Sequence, residues 1–204
     1  SFCWSLGTTS FRTKNFNKTI EEQLMLLQAF WSQPANAAEP WSANDDLQAR
    51  YYDFLHEKGF VEGNAHNKPK DAREKTSGLV ALGLIDDQRK LTAVGEELLA
   101  VSLSGAFASD NQFAIDKDSY IYLKQLMKTS VNVGAQTVRP FLVLLYLLNR
   151  FEFLTADEFT YLLPLCIGEG ETEEIVAGIE GLRVGRGTVD EIIVHRLMAM
   201  DNYQ

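Results

Sequence analysis

Residues 68–99, KPKDAREKTSGLVALGLIDDQRKLTAVGEELL, constrain this chain more than any other stretch. They read as a helix, a glycine exit, a short two-stranded turn and a second helix. On a helical wheel over Lys70–Gly83, the apolar or small residues Ala72, Thr76, Leu79 and Gly83 share one face. The opposite face carries Lys70, Glu74 and Ser77, with Arg73 at its edge, at the i, i+3, i+4, i+7 spacing of one polar strip. After Gly83 come Leu84-Ile85, the polar turn Asp86-Asp87-Gln88-Arg89 and Lys90-Leu91. A hydrophobic pair, a turn and a return strand predict a β-wing. Thr92 is placed to cap the next helix, with Gly95 an imperfection near its start. A helix with a polar outer face followed by a wing is a common way to present side chains to a DNA groove. A helix–turn–helix that only packs against its neighbours fits the same local pattern.

The chain has 204 residues, 46% of them hydrophobic, enough for one large core or two small ones. Its most apolar run, Phe141–Leu148, is flanked by Arg139 and Arg150, too short for a membrane span and suited to a buried helix. No basic region followed by an apolar one opens the sequence, so no signal peptide and no membrane partner are expected. Cys3 and Cys166 stand far apart in apolar settings without a CxxC partner. Two buried thiols in a reducing, cytoplasmic compartment are expected, rather than a disulfide or a zinc site.

The net charge of −9 argues against a generic nucleic-acid binder, but its distribution softens that objection. Residues 1–90 hold 11 Lys and Arg against 12 Asp and Glu, whereas residues 91–204 hold 8 against 16. The first half therefore keeps local basic patches. The opening SFCWSLGTTSFRTKNFNKT has no helical or strand period and reads as an arm, pinned by Phe2, Trp4, Phe11 and Phe16. Arg12, Lys14 and Asn15 then remain on its surface, where cations meet phosphates or guanine edges and asparagine reads adenine. A solvated arm with ordinary charges is the plainer alternative.

Thr19 is expected to cap an amphipathic helix through Trp31. A Pro-punctuated loop, Ser32–Trp41, leads to a second helix from about Ala43 to Lys58, ended by Gly59. The polar loop Val61–Lys70 feeds the stretch described first.

WSLGTTSFRTK at the start, YYDFLHEKGF in the second helix and KDAREKTSGLVALGLIDDQRKLT around the wing resemble the N-terminal region of the AlwI family of type IIS restriction endonucleases. The resemblance covers the first half most fully and continues more weakly through RPFLVLLYLLNRFEFLTADEF. It implies a mainly α fold with winged-helix or helix-turn-helix-like subdomains and a short β-wing. It also implies recognition of a short asymmetric sequence in double-stranded DNA. Cleavage would come from a separate C-terminal nuclease domain, or a second cleavage subunit, that needs Mg²⁺.

Ser102–Asp116 reads as a linker. An arm plus a winged-helix-like recognition subdomain is therefore expected over residues 1–105, and a second helical subdomain over 106–204. In the latter, helices are expected over Asp118–Lys128, Thr137–Arg150 (buried, with Pro140 in its first turn), from Thr155 with Glu158 at capping-box spacing, over Glu171–Leu182 and over Val189–Met200. VGRGT at 184–188 reads as a flexible turn.

A nuclease of the Asp…Asp/Glu-x-Lys type needs strand-borne carboxylates for Mg²⁺ and a nearby lysine. No Asp/Glu-x-Lys triplet occurs here, and no strand-rich segment offers to carry one. The carboxylates of Glu169–Glu174 sit at a glycine turn, where they most simply serve a helix dipole. No catalytic or metal-binding residue is nominated, and no cofactor is expected in this chain. The candidate DNA-binding residues are Arg12, Lys14, Asn15, Lys68, Lys70, Arg73, Glu74, Ser77, Arg89 and Lys90. Among them, Lys70, Arg73, Glu74 and Ser77 are expected to face the major groove, with Arg73 reading a guanine; Arg89, Lys90, Arg12 and Lys14 would hold phosphates. The competing reading is a helical protein-interaction module with the same architecture and no DNA.

Overall fold

The computed structural model describes residues 2–5, 15–108 and 111–199. The chain gathers into two compact units, one of residues 8–126 and one of residues 127–204 together with 1–7. Both are mainly helical.

The first unit opens with α1 (Phe16–Trp31), one turn earlier than the expected cap at Thr19. Thr19 is instead inside the first turn, its N–H donating to the Asn15 carbonyl. Ile20, Leu24, Leu27 and Phe30 of α1 are buried at the spacing of a single helical stripe. The loop after it includes a short helix, α2 (Pro34–Ala37), started by a proline in its first turn. Asn44 caps α3 (Asp45–Glu57) by accepting from the Leu47 N–H, and Asn67 caps α4 (Lys68–Ala81) by accepting from Lys70. Phe30, Trp41 and Tyr51 meet edge to face at the centre, with ring centroids 5.0 and 5.7 Å apart.

Helix α4 ends as the sequence expects. Gly83 takes φ +67°, Leu84 N–H donates to Leu79 and Gly83 N–H to Val80. These two bonds satisfy carbonyls the helix end would leave orphaned. The segment that follows is tighter than a wing of two strands. A single bridge joins Ile85 to Leu91, and the Asp86 carboxylate accepts from the Lys90 N–H at 2.9 Å. Thr92 then caps α5 (Ala93–Ser104) as expected. Helix α6 (Lys117–Lys128) is fixed to this unit by Ile121 and by Gln125, whose Nε2 donates to the Leu82 carbonyl at 2.7 Å.

The regular strands lie in the second unit. β1 (Val131–Val133) pairs antiparallel with β2 (Gln136–Val138) around Gly134, which has φ +61° at the first position of a two-residue hairpin loop. This corrects the helix expected from Thr137: Thr137 and Val138 are strand, and α7 (Pro140–Phe151) begins with proline at its first turn. A second correction concerns burial. In α7 only Pro140 and Leu147 are buried, while Leu142, Leu145 and Tyr146 are 41–47% exposed. Apolar composition fixes no partner, and so it predicts burial only in one direction.

The expected capping box at Thr155 and Glu158 is present in both directions. The chain then continues as a π turn (Glu158–Leu162) and a 3₁₀ turn (Leu163–Leu165) rather than a regular helix. Pro164 in that last turn has no N–H for an α-helical bond. α8 (Glu169–Arg183) and α9 (Val189–Met198) follow, and Thr188 and Glu191 form a second capping box where the sequence suggested only a turn. Near the N-terminus, Trp4 is buried on this unit, its Nε1 donating to the Cys166 carbonyl at 3.1 Å. Phe2 stays exposed, Phe16 packs near Tyr122 in the first unit, and Phe11 lies outside the described residues. Cys166 is buried, and burial pushes its thiol up to about 12. Among the described residues, no helix is long and apolar enough to cross a membrane.

Candidate nucleic-acid interface

Helix α4 is held from below and left open above. Ala72, Thr76 and Leu79 are wholly buried, whereas Lys70, Arg73 and Glu74 are exposed and Ser77 is half-buried. The polar strip therefore exists on the folded helix. Its members are not idle. Lys70 Nζ lies 3.6 Å from the Glu74 carboxylate one turn on, and Ser77 Oγ donates to the Glu74 carbonyl at 2.8 Å. An exposed i,i+4 pair of this kind contributes only about 0.3–0.5 kcal/mol, so DNA can displace it at little cost.

Lys68, Arg73 and Lys90 turn toward the body of the protein. Lys68 pairs with Asp53 of α3 at 2.7 Å. Arg73 leans on α3 as well, its Nη1 donating to Asp45 at 3.2 Å and to the Gln48 carboxamide oxygen. Lys90 Nζ lies 5.3 Å from the centre of the Trp31 ring and near the Ala37 carbonyl. Asn15 is exposed at the start of α1; Arg12 and Lys14 lie outside the described residues.

Arg89 is the most constrained of the set. It adopts φ +61°, a left-handed backbone that non-glycine residues seldom take. Its carbonyl accepts from Trp31 Nε1 at 2.7 Å, its Nε donates to Thr76 Oγ1 at 2.9 Å, and its guanidinium stands 5.6 Å from the Trp41 ring centre. Burial draws the Arg89 guanidinium below the usual arginine range; Asp87 and Asp86 oppose this, and nearby Arg73 adds to it.

Arg73 and Arg89 thus meet in one cleft of about 450 Å³, walled by Trp41, Ser42, Gln48 and Asp87. The sequence pattern singles out the two arginines but assigns no part in holding them to Trp41, Gln48, Thr76 and Asp45. Those partners come from as far away in the chain as Trp41 is from Arg89, a distance no helical period reports.

Glu171, Glu173 and Glu174 of the acidic run entering α8 find partners within their own unit. Arg196 reaches Glu174 at 2.7 Å and Glu171 at 3.8 Å, and Tyr146 donates to Glu173 at 2.7 Å. Among the described residues, no three His, Cys, Asp or Glu side chains gather so as to hold a metal ion.

No curated protein and no solved structure matches the chain. A family model described as AlwI restriction endonuclease matches residues 80–204. The match takes in the 84–91 turn, α5 and everything after it, and leaves out residues 1–79, where the resemblance read from the sequence is fullest. Its extent is more than half of the chain, and on that ground the chain belongs to the AlwI restriction endonuclease family.

Proposed function

We propose that this chain is a sequence-specific recognition region for double-stranded DNA in a type IIS restriction or nicking endonuclease. The observation that supports it most is the outer strip of α4, next to a turn that closes like a short wing, in a member of a restriction-enzyme family. Lys70, Glu74 and Ser77 would meet base edges in the major groove, where Glu74 suits a cytosine amino group. Lys68 and Lys90, with Arg12, Lys14 and Asn15, would meet the backbone. Cleavage belongs in this reading to a separate C-terminal nuclease domain using Mg²⁺.

Binding is expected to be salt-sensitive although the chain is net negative, because phosphates respond to local patches. With about five phosphate contacts, log K against log salt should fall with a slope of about −4 to −5. Anisotropy of a labelled mixed-sequence duplex across a salt series measures this. One observation favours the second reading, a protein-interaction module: Leu142, Leu145 and Tyr146 give α7 an exposed apolar face. Failure to bind duplex at low salt would favour that reading over the first.

A further inference from the structure

The cleft between Arg73 and Arg89 is built from the inside. Gln48 is 1% exposed, and its Nε2 donates to the Trp41 carbonyl at 2.8 Å, which turns its oxygen toward Arg73. Thr76 is fully buried; its hydroxyl donates to the Ala72 carbonyl at 2.9 Å and accepts from Arg89 Nε at 2.9 Å. Two core side chains therefore aim two guanidinium groups at the same space.

That aim leaves donors over. Arg73 uses only Nη1, for Asp45 and Gln48. Arg89 uses Nε for Thr76 and Nη1 for the Asp87 carbonyl. Nε and Nη2 of Arg73 and Nη2 of Arg89 donate to no described residue. Asp87 and Asp86 already offset part of the charge on Arg89, whereas the carboxylate that serves Arg73 is weakly held. Asp45 has a side chain 79% exposed, on the first turn of α3. Guanidinium forks match phosphate oxygens in pairs, which a carboxylate at one Nη1 does not exploit.

We propose that this cleft takes one backbone phosphate of the bound duplex, gripped between Arg73 and Arg89, with Asp45 standing in for that phosphate when no DNA is present. The inference rests on the DNA-recognition reading and refines it: Arg73 grips the backbone rather than reading a guanine.

Duplex binding by the whole chain and by two variants, Arg73→Gln and Asp45→Asn, tests it, with melting curves to establish that each variant is folded. Arg73→Gln should weaken binding to all sequences of a mixed duplex pool alike, by about tenfold, and shallow the salt slope by about one unit. Asp45→Asn should tighten binding by about threefold or more, since it removes a competing carboxylate, and Arg73→Gln should erase that gain. Wild-type binding with an unchanged slope in Arg73→Gln and no gain in Asp45→Asn would overturn the phosphate assignment while leaving DNA recognition standing. A changed preference at a single base pair in Arg73→Gln would also overturn it, in favour of base reading. Inorganic phosphate at matched ionic strength should compete poorly; competition at micromolar phosphate would mark a free-anion pocket instead. A wild-type chain that binds no duplex would remove the DNA reading itself, and this proposal with it.

Discussion

Gly95→Ala is expected to destabilise the unit of residues 8–126 by about 3 kcal/mol or more, because a Cβ there would overlap the Leu84 carbonyl oxygen. In the sequence, Gly95 reads as a flaw in the first turn of α5, and helix propensity alone favours alanine by about 1 kcal/mol. The structure reverses that sign. Gly95 N–H is the donor to the Thr92 cap, and Thr92 is itself tied to the Gly83 carbonyl at 2.8 Å and through its N–H to Leu84. Leu84 is wholly buried, so neither side of the contact has room to yield. The control is Gly170→Ala near the start of α8, where a Cβ would meet nothing within 4 Å. Urea denaturation should show the first variant shifted far below the wild type and the second at or slightly above it. Equal midpoints for Gly95→Ala and the wild type would show that α5 does not approach Leu84 as closely as described.

Arg183→Leu is expected to cost about 3–5 kcal/mol in the other unit. Glu158 is 3% exposed, and its carboxylate rests on two donors, the Thr155 N–H at 2.7 Å and Arg183 Nη2 at 2.8 Å. The arginine also donates to the Phe153 carbonyl and lies 4.1 Å from the Phe153 ring centre. Removing it leaves a buried carboxylate with one neutral donor, at the start of the π turn. The reverse change, Glu158→Gln, leaves a cation that is 27% exposed and can reach water, so it should cost clearly less. Comparing the unfolding of the two variants checks the asymmetry; equal and small losses would show that the pair contributes little.

What the sequence disclosed about this fold was local. The glycine exit of α4, the Thr92 cap and the Thr155–Glu158 box each depend on residues within five positions of one another, and each is present. What it concealed depends on distant partners. Arg89 read as an outward wing residue, yet Thr76 and Trp41 draw it inward. α7 read as buried because it is apolar all round, while burial depends on what packs beside it. The hairpin of β1 and β2 is only three residues per strand, too short to show a clear alternation against the helical pattern that follows. The polar strip of α4 was legible from its period; the bracing of Arg73 by Gln48 and Asp45 was not, since α3 and α4 meet only in the fold.

A DNA-recognition region must select a DNA sequence. Repeated selection of the whole chain against a randomised duplex pool, followed by sequencing of the bound fraction, measures that directly. The expected result is a short asymmetric consensus, with Glu74→Gln altering preference at one position, since a carboxylate accepts from the cytosine amino group and its amide loses that discrimination. Arg73→Gln should retain the consensus with lower affinity. A bound fraction as random as the input pool, from a chain whose melting curve shows it folded, would contradict DNA recognition and leave the exposed apolar face of α7 as the surface to pursue.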